Sequence, residues 1–190
     1  SKLLKNDNTY MRARAIWVLA ELGRTGLQKV RKQLKSDAEQ VRVVAYRALR
    51  RQGKGLVSLS KHMAEDPSPA VKREVALAMR NLPYSQAKDV LITLAKAYDG
   101  KDRHYLEALG TGATGKESSI YDELLLRIGS NNELKWSTAF ANIAWRLHPP
   151  QSADAFGKWA QSSAVGEKNQ TAALVALAYI GNEKAVSEIL

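Results

Sequence analysis

Apolar positions recur at helical spacing along most of the chain. Val41, Ala45, Ala48 and Leu49 fall at i, i+4, i+7 and i+8, one face of a helix. The same arrangement returns at an offset of 30 residues. One copy runs from Asp7 through Met11, Arg12, Ala15 and Leu19 to Gly23. The next runs from Asp37 through Val41, Arg42, Ala45 and Leu49 to Gly53. A third runs from Asp66 through Val71, Lys72, Val75 and Met79 to Pro83, its Asp one residue out of register. An Asp or Ser near the start of each copy suits a helix cap. Small residues at Ala15, Ala45 and Ala48 permit close helix packing, and Gly or Pro stops each helix. Weaker copies end at Leu109-Gly110, at Leu147 to Pro150, and at Ile180-Gly181.

Shorter amphipathic stretches lie between these helices. They are marked by Leu27, Val30 and Leu34; by Leu56, Leu59 and Met63; by Val90, Leu91 and Leu94; by Ile120, Leu124 and Ile128; by Ala153, Phe156 and Trp159; and by Ala185, Val186 and Ile189. No stretch shows the period-two alternation of a strand. The pattern predicts an all-α chain of about a dozen helices in antiparallel pairs, stacked side by side. The run from Asp37 to Leu49, Asp-x-x-x-Val-Arg-x-x-Ala-x-x-Ala-Leu, resembles the second helix of HEAT repeats, including the short bacterial kind. The resemblance is good over residues 7–83 and loose over 84–190. It implies an α-solenoid, a right-handed superhelix of about six HEAT-like hairpins, spanning residues 1–190 as a single repeat domain.

A narrower resemblance rests on Tyr98 to Gly110 and on Ala144-Trp145-Arg146-Leu147-His148-Pro149-Pro150. These runs are similar to the helical segment of large exported bacterial proteins that join a sorbosone-dehydrogenase-like β-propeller to HEAT repeats and a c-type cytochrome domain. Neither a propeller nor a Cys-x-x-Cys-His is present. That resemblance implies a periplasmic spacer, a fragment of a larger multidomain protein. The opening residues, Ser1-Lys2-Leu3-Leu4-Lys5, read as the tail of a helix and point the same way.

Charge changes the picture more than composition does. The chain carries +10, and residues 1–80 hold 18 Lys and Arg against 7 Asp and Glu. Residues 81–190 hold 11 against 12. An acidic partner for the first half is the expectation, an acidic surface on another protein or a neighbouring domain, with nucleic acid as the alternative. The absence of cysteine excludes thiolate metal sites, disulfides and a cysteine nucleophile in this sequence. No apolar run reaches the length of a membrane span, so no membrane insertion is expected.

Several motifs resemble chemistry without its context. Gly110-x-Gly112-x-x-Gly115 is a literal dinucleotide fingerprint, but a helix rather than a strand precedes it, and the glycines are expected to end that helix and form a loop. Tyr84-x-x-x-Lys88 matches the catalytic pair of short-chain dehydrogenases, yet lies before the glycines rather than after them. Asp99-Gly100-Lys101-Asp102 has too few oxygen ligands for calcium and reads as a turn, with Asp102 capping the next helix. Ser85 of Ser-x-x-Lys reads as a helix cap. His62, His104 and His148 are scattered, and His148 stands at a helix end. No catalytic residue, cofactor or metal site is expected. Arg12, Arg42 and Lys72 form a column that could bind phosphates; the HEAT resemblance implies instead that it pairs with Asp7, Asp37 and Asp66 as a ladder between repeats. Trp136, Trp145 and Trp159 read as packing residues. Arg47, Arg50, Arg51 and Arg80 lie off the apolar stripe. With Trp17 and Tyr46 they make the expected partner-binding surface, one contiguous basic patch in the groove of the repeats.

Overall fold

The structure, a computed structural model, describes residues 2–189. Among them are twelve α-helices and no strand. The architecture is all-α, built of helical hairpins of the α-solenoid class. The chain divides into two compact units, Ser1–Ala78 and Met79–Leu190.

The first unit contains α1 (Thr9–Glu21), α2 (Gly23–Gln33), α3 (Glu39–Arg51), α4 (Leu56–Met63) and α5 (Pro69–Ala78). Helices α1, α3 and α5 pack side by side, and α2 and α4 cover them: α2 lies on α1 and α3, and α4 on α5. The predicted stripe is buried: Val41, Ala45, Ala48 and Leu49 are at most 5% exposed. They join Ile16, Leu19, Ala20 and Val30 in one cluster, flanked by Leu27, Leu34 and Leu59. The α1–α2 hairpin closes unusually tightly. A Cβ at Gly26 would lie 1.9 Å from the Leu19 carbonyl oxygen, so only glycine permits this approach.

The helix caps differ from expectation. Asn8, not Asp7, caps α1, accepting from the N–H groups of Tyr10 and Met11. Ala38 occupies the N-cap of α3, which has no side-chain cap; Asp37 stays exposed beside it. Asp66 does serve the third copy, accepting from Ser68 N–H at 2.8 Å ahead of Pro69 at the start of α5.

The second unit contains α6 (Tyr84–Lys96), α7 (Arg103–Gly112), α8 (Glu117–Ile128), α9 (Thr138–Leu147), α10 (Ala153–Gln161), α11 (Glu167–Ile180) and α12 (Glu183–Ile189). Helix α6 packs on α8, α7 on α9, α8 on α9, and α10 on both α11 and α12. An aromatic cluster fills its centre. Trp136 meets Phe140 edge-on at 4.9 Å and Phe156 at 6.1 Å, and lies 5.9 Å from Trp159. Trp136 and Trp159 are thus packing residues. Trp145 is half-buried, with the Arg103 guanidinium 4.9 Å from its ring centre.

Candidate interaction surface

The motifs that resembled chemistry resolve into structure. Gly110 and Gly112 lie inside α7 rather than in a loop, and only Gly115 follows the helix. A Cβ at Gly110 would lie 2.4 Å from the Arg146 guanidinium carbon, so that glycine makes room for Arg146 to reach Glu107 at 2.5 Å. Asp99 accepts from the N–H groups of Lys101 and Asp102, and Asp102 caps α7 through Tyr105 N–H. Ser85 does not cap α6. Pro83 takes that position and Ser85 is exposed in the first turn. Lys88 lies 5.8 Å from the Tyr84 ring and pairs with Glu123 at 2.6 Å. His148, at φ 33°, ends α9 and meets the Trp145 carbonyl at 3.2 Å. Among the described residues, no group of three His, Asp or Glu side chains stands close enough to hold a metal ion, and no helix is long and apolar enough to cross a membrane.

The expected ladder has one full rung. Arg42 forms a two-pronged ion pair with Asp66, at 2.8 and 2.9 Å, and its Nη1 also donates to the carbonyls of Ser36 and Asp37. Burial pushes the Asp66 carboxyl up, but the bonds from Arg42 and Ser68 N–H outweigh it and hold the group below its ordinary value. Lys72 adds its charge to Asp66. Arg12 makes no such rung: its Nε is buried with no hydrogen-bond partner among the described residues.

The six residues expected to bind a partner divide sharply. Tyr46 is fully buried, its hydroxyl 2.8 Å from Ser60 Oγ, and burial pushes its phenol up to about 12. It is a core residue and cannot meet a partner. Trp17 is half-buried against the core cluster of the first unit. Arg47 and Arg50 converge on one carboxylate, that of Glu74 on α5. Arg47 Nη2 bonds Oε1, and Arg50 Nη1 lies 3.8 Å from Oε2 and 3.4 Å from the Glu74 carbonyl. The Glu74 bond holds the Arg47 proton more firmly than usual. The expected basic patch is thus corrected at Arg47 and Arg50, whose charge Glu74 offsets within the fold. Arg51 is exposed without an ion-pair partner among the described residues. Arg80 is exposed in the second unit, where its carbonyl accepts from Lys116 Nζ at 3.0 Å.

What sequence reasoning missed is the opposite side of the first unit. Residues 22–36 carry Arg24, Lys29, Arg31, Lys32 and Lys35 with no acid. Residues 51–64 carry Arg51, Lys54, Lys61 and His62, again with no acid. These stretches form α2, α4 and the turns beside them, with Arg51 the last residue of α3. The acids of the unit that neutralise arginines, Asp66 and Glu74, lie at or on the α3–α5 row. The signal was legible as two acid-free stretches, but net charge summed over half the chain hid it.

Paired helices repeating every 30 residues define a class, the helical-hairpin repeat proteins. Within it, residues 27–110 match the family described as HEAT repeats. No curated protein matches the chain.

Proposed function

We propose that the chain is a non-catalytic protein-interaction module whose first unit holds an acidic surface of a partner protein. HEAT-repeat segments generally mediate protein–protein contact, and stacked hairpins present extended surfaces suited to it. The observation that carries the acidic partner is the distribution of charge. Residues 1–78 hold 17 Lys and Arg against 7 Asp and Glu, and residues 79–190 hold 12 of each, so the whole net charge of +10 resides in the first unit. A concentrated field of one sign steers and selects partners of the other.

The narrower reading makes residues 1–190 one spacer of a multidomain protein outside the cytoplasm, positioning a propeller dehydrogenase-like domain against a cytochrome domain. Its support is the two short runs at Tyr98–Gly110 and Ala144–Pro150.

Zero-length carbodiimide cross-linking in the native cell tests the proposal, because it joins lysine only to carboxylates in contact. Cross-links are expected from Lys29, Lys32, Lys35 and Lys54 to Asp or Glu of another protein. Retention of nucleic acid with no protein cross-link, or links confined to lysines of the second unit, would reject it.

A further inference from the structure

We propose that the cleft between α2 and α4 is a docking site for an acidic protein segment that carries an apolar side chain among its carboxylates. This deepens the proposed function and rests on it. The cleft has a volume of about 350 Å³ and is lined by Arg31, Leu34 and Lys35 on one wall and Gly55, Ser58, Leu59 and His62 on the other. No acid lines it. Arg31, Lys35 and His62 are exposed, and among the described residues none of their side chains has a hydrogen bond or ion pair.

The contrast with the α3–α5 row makes the case. There Arg42 is neutralised by Asp66, and Arg47 and Arg50 by Glu74, within the fold. At the cleft Arg31 and Lys35 stand together with no ion pair among the described residues. Like charges held close are unfavourable in the free protein, and an incoming carboxylate relieves them. The partner's class follows from the lining. Leu34 and Leu59, half-buried against the core cluster, give the cleft an apolar floor beside Arg31 and Lys35. A phosphodiester backbone offers such a floor nothing, and single-stranded bases need aromatic platforms, which this cleft lacks. A peptide with Leu or Phe between Asp and Glu satisfies both floor and rim. The volume lies at the lower end of the range for binding pockets, room for one anchoring side chain.

The test is fluorescence anisotropy of a labelled peptide, Leu-Phe flanked on each side by three Asp or Glu, titrated with the full chain at about 0.15 M salt. Saturable binding is expected. The double variant R31E/K35E, both positions exposed, should weaken it by about tenfold or more. Circular dichroism checks that the variant remains helical. Lys168→Gln, exposed on α11 of the second unit, should leave affinity unchanged. Replacing Leu-Phe by Ser-Ser in the peptide should weaken binding too. No peptide binding, or equal binding by R31E/K35E, overturns the cleft. So does duplex DNA of the same charge that binds more tightly and is lost in the same variant. If the peptide fails while carbodiimide still links the first unit to an acidic protein, the cleft falls and the proposed function stands. If both fail, both fall.

Discussion

Arg42 and Asp66 show what one pair of residues contributes in the first unit. Asp66 is 8% exposed, and it accepts from both a guanidinium and the Ser68 N–H. Its carboxyl sits below its ordinary 3.8 in the folded chain. Ionisation of Asp66 therefore stabilises the fold at every pH above the unfolded value, and that stabilisation is lost as pH falls below 3.8 through the folded value. Asp66→Asn should cost about 3–5 kcal/mol at neutral pH, because it leaves a largely buried guanidinium without its counter-charge. Thermal melts from pH 6 down to about pH 2.5 should fall more steeply for the parent chain than for the variant. Parallel pH profiles would show that Asp66 is not the titrating group. The 30-residue column of Arg12, Arg42 and Lys72 was readable in the sequence, and so was this rung. The missing rung at Arg12 was not, because spacing gives a residue's column and not the direction of its side chain. Nor was Tyr46 legible as core. It occupies a position between stripe residues, and only the Ser60 hydroxyl on α4 explains why a phenol is accepted there.

At the scale of elements, two glycines do different work. Gly53 follows α3 at φ +71° with open space around it, so a side chain there suffers only the left-handed backbone. Gly26 lies inside α2 against α1, where the obstacle is a backbone carbonyl that cannot rotate away. Gly53→Ala should cost about 1–2 kcal/mol. Gly26→Ala should cost as much or more, about 1–3 kcal/mol with a displaced α2. Urea unfolding of the two variants measures this, and a smaller loss at Gly26 would mean that the hairpin can open without penalty. The helices themselves were legible because a buried stripe must repeat at helical spacing wherever a hairpin packs on its neighbour. Caps were less so. Asp and Asn are chemically close, and whether Asp7 or Asn8 closes α1 depends on one residue of chain direction. The glycines at 110 and 112 misled in another way. Their spacing suggested a loop, whereas Gly110 thins α7 where Arg146 crosses it.

At the scale of the whole molecule, the seat of charge was half legible. The excess in the first 80 residues is evident from counting, but the choice of face was not. Arg47, Arg50 and Arg51 attract notice because they crowd one helix. The acid that neutralises Arg47 and Arg50 lies 27 residues beyond Arg47, close to one repeat further on, and so escapes any local count. Arg31 and Lys35, which have no ion pair among the described residues, lie instead at the end of α2, in a stretch that looks ordinary by itself. Glu74 therefore has a consequence for how this protein can change over generations. One carboxylate silences two guanidiniums, so one codon separates a chain with a single cationic face from a chain with two. Glu74→Gln keeps the size of a side chain only 8% exposed, and the helices should persist. Anisotropy with the acidic peptide should then reveal a second binding mode, one that survives R31E/K35E. A lineage of such repeats could change partners through that position alone, with the core of Val41, Ala45 and Leu49 untouched.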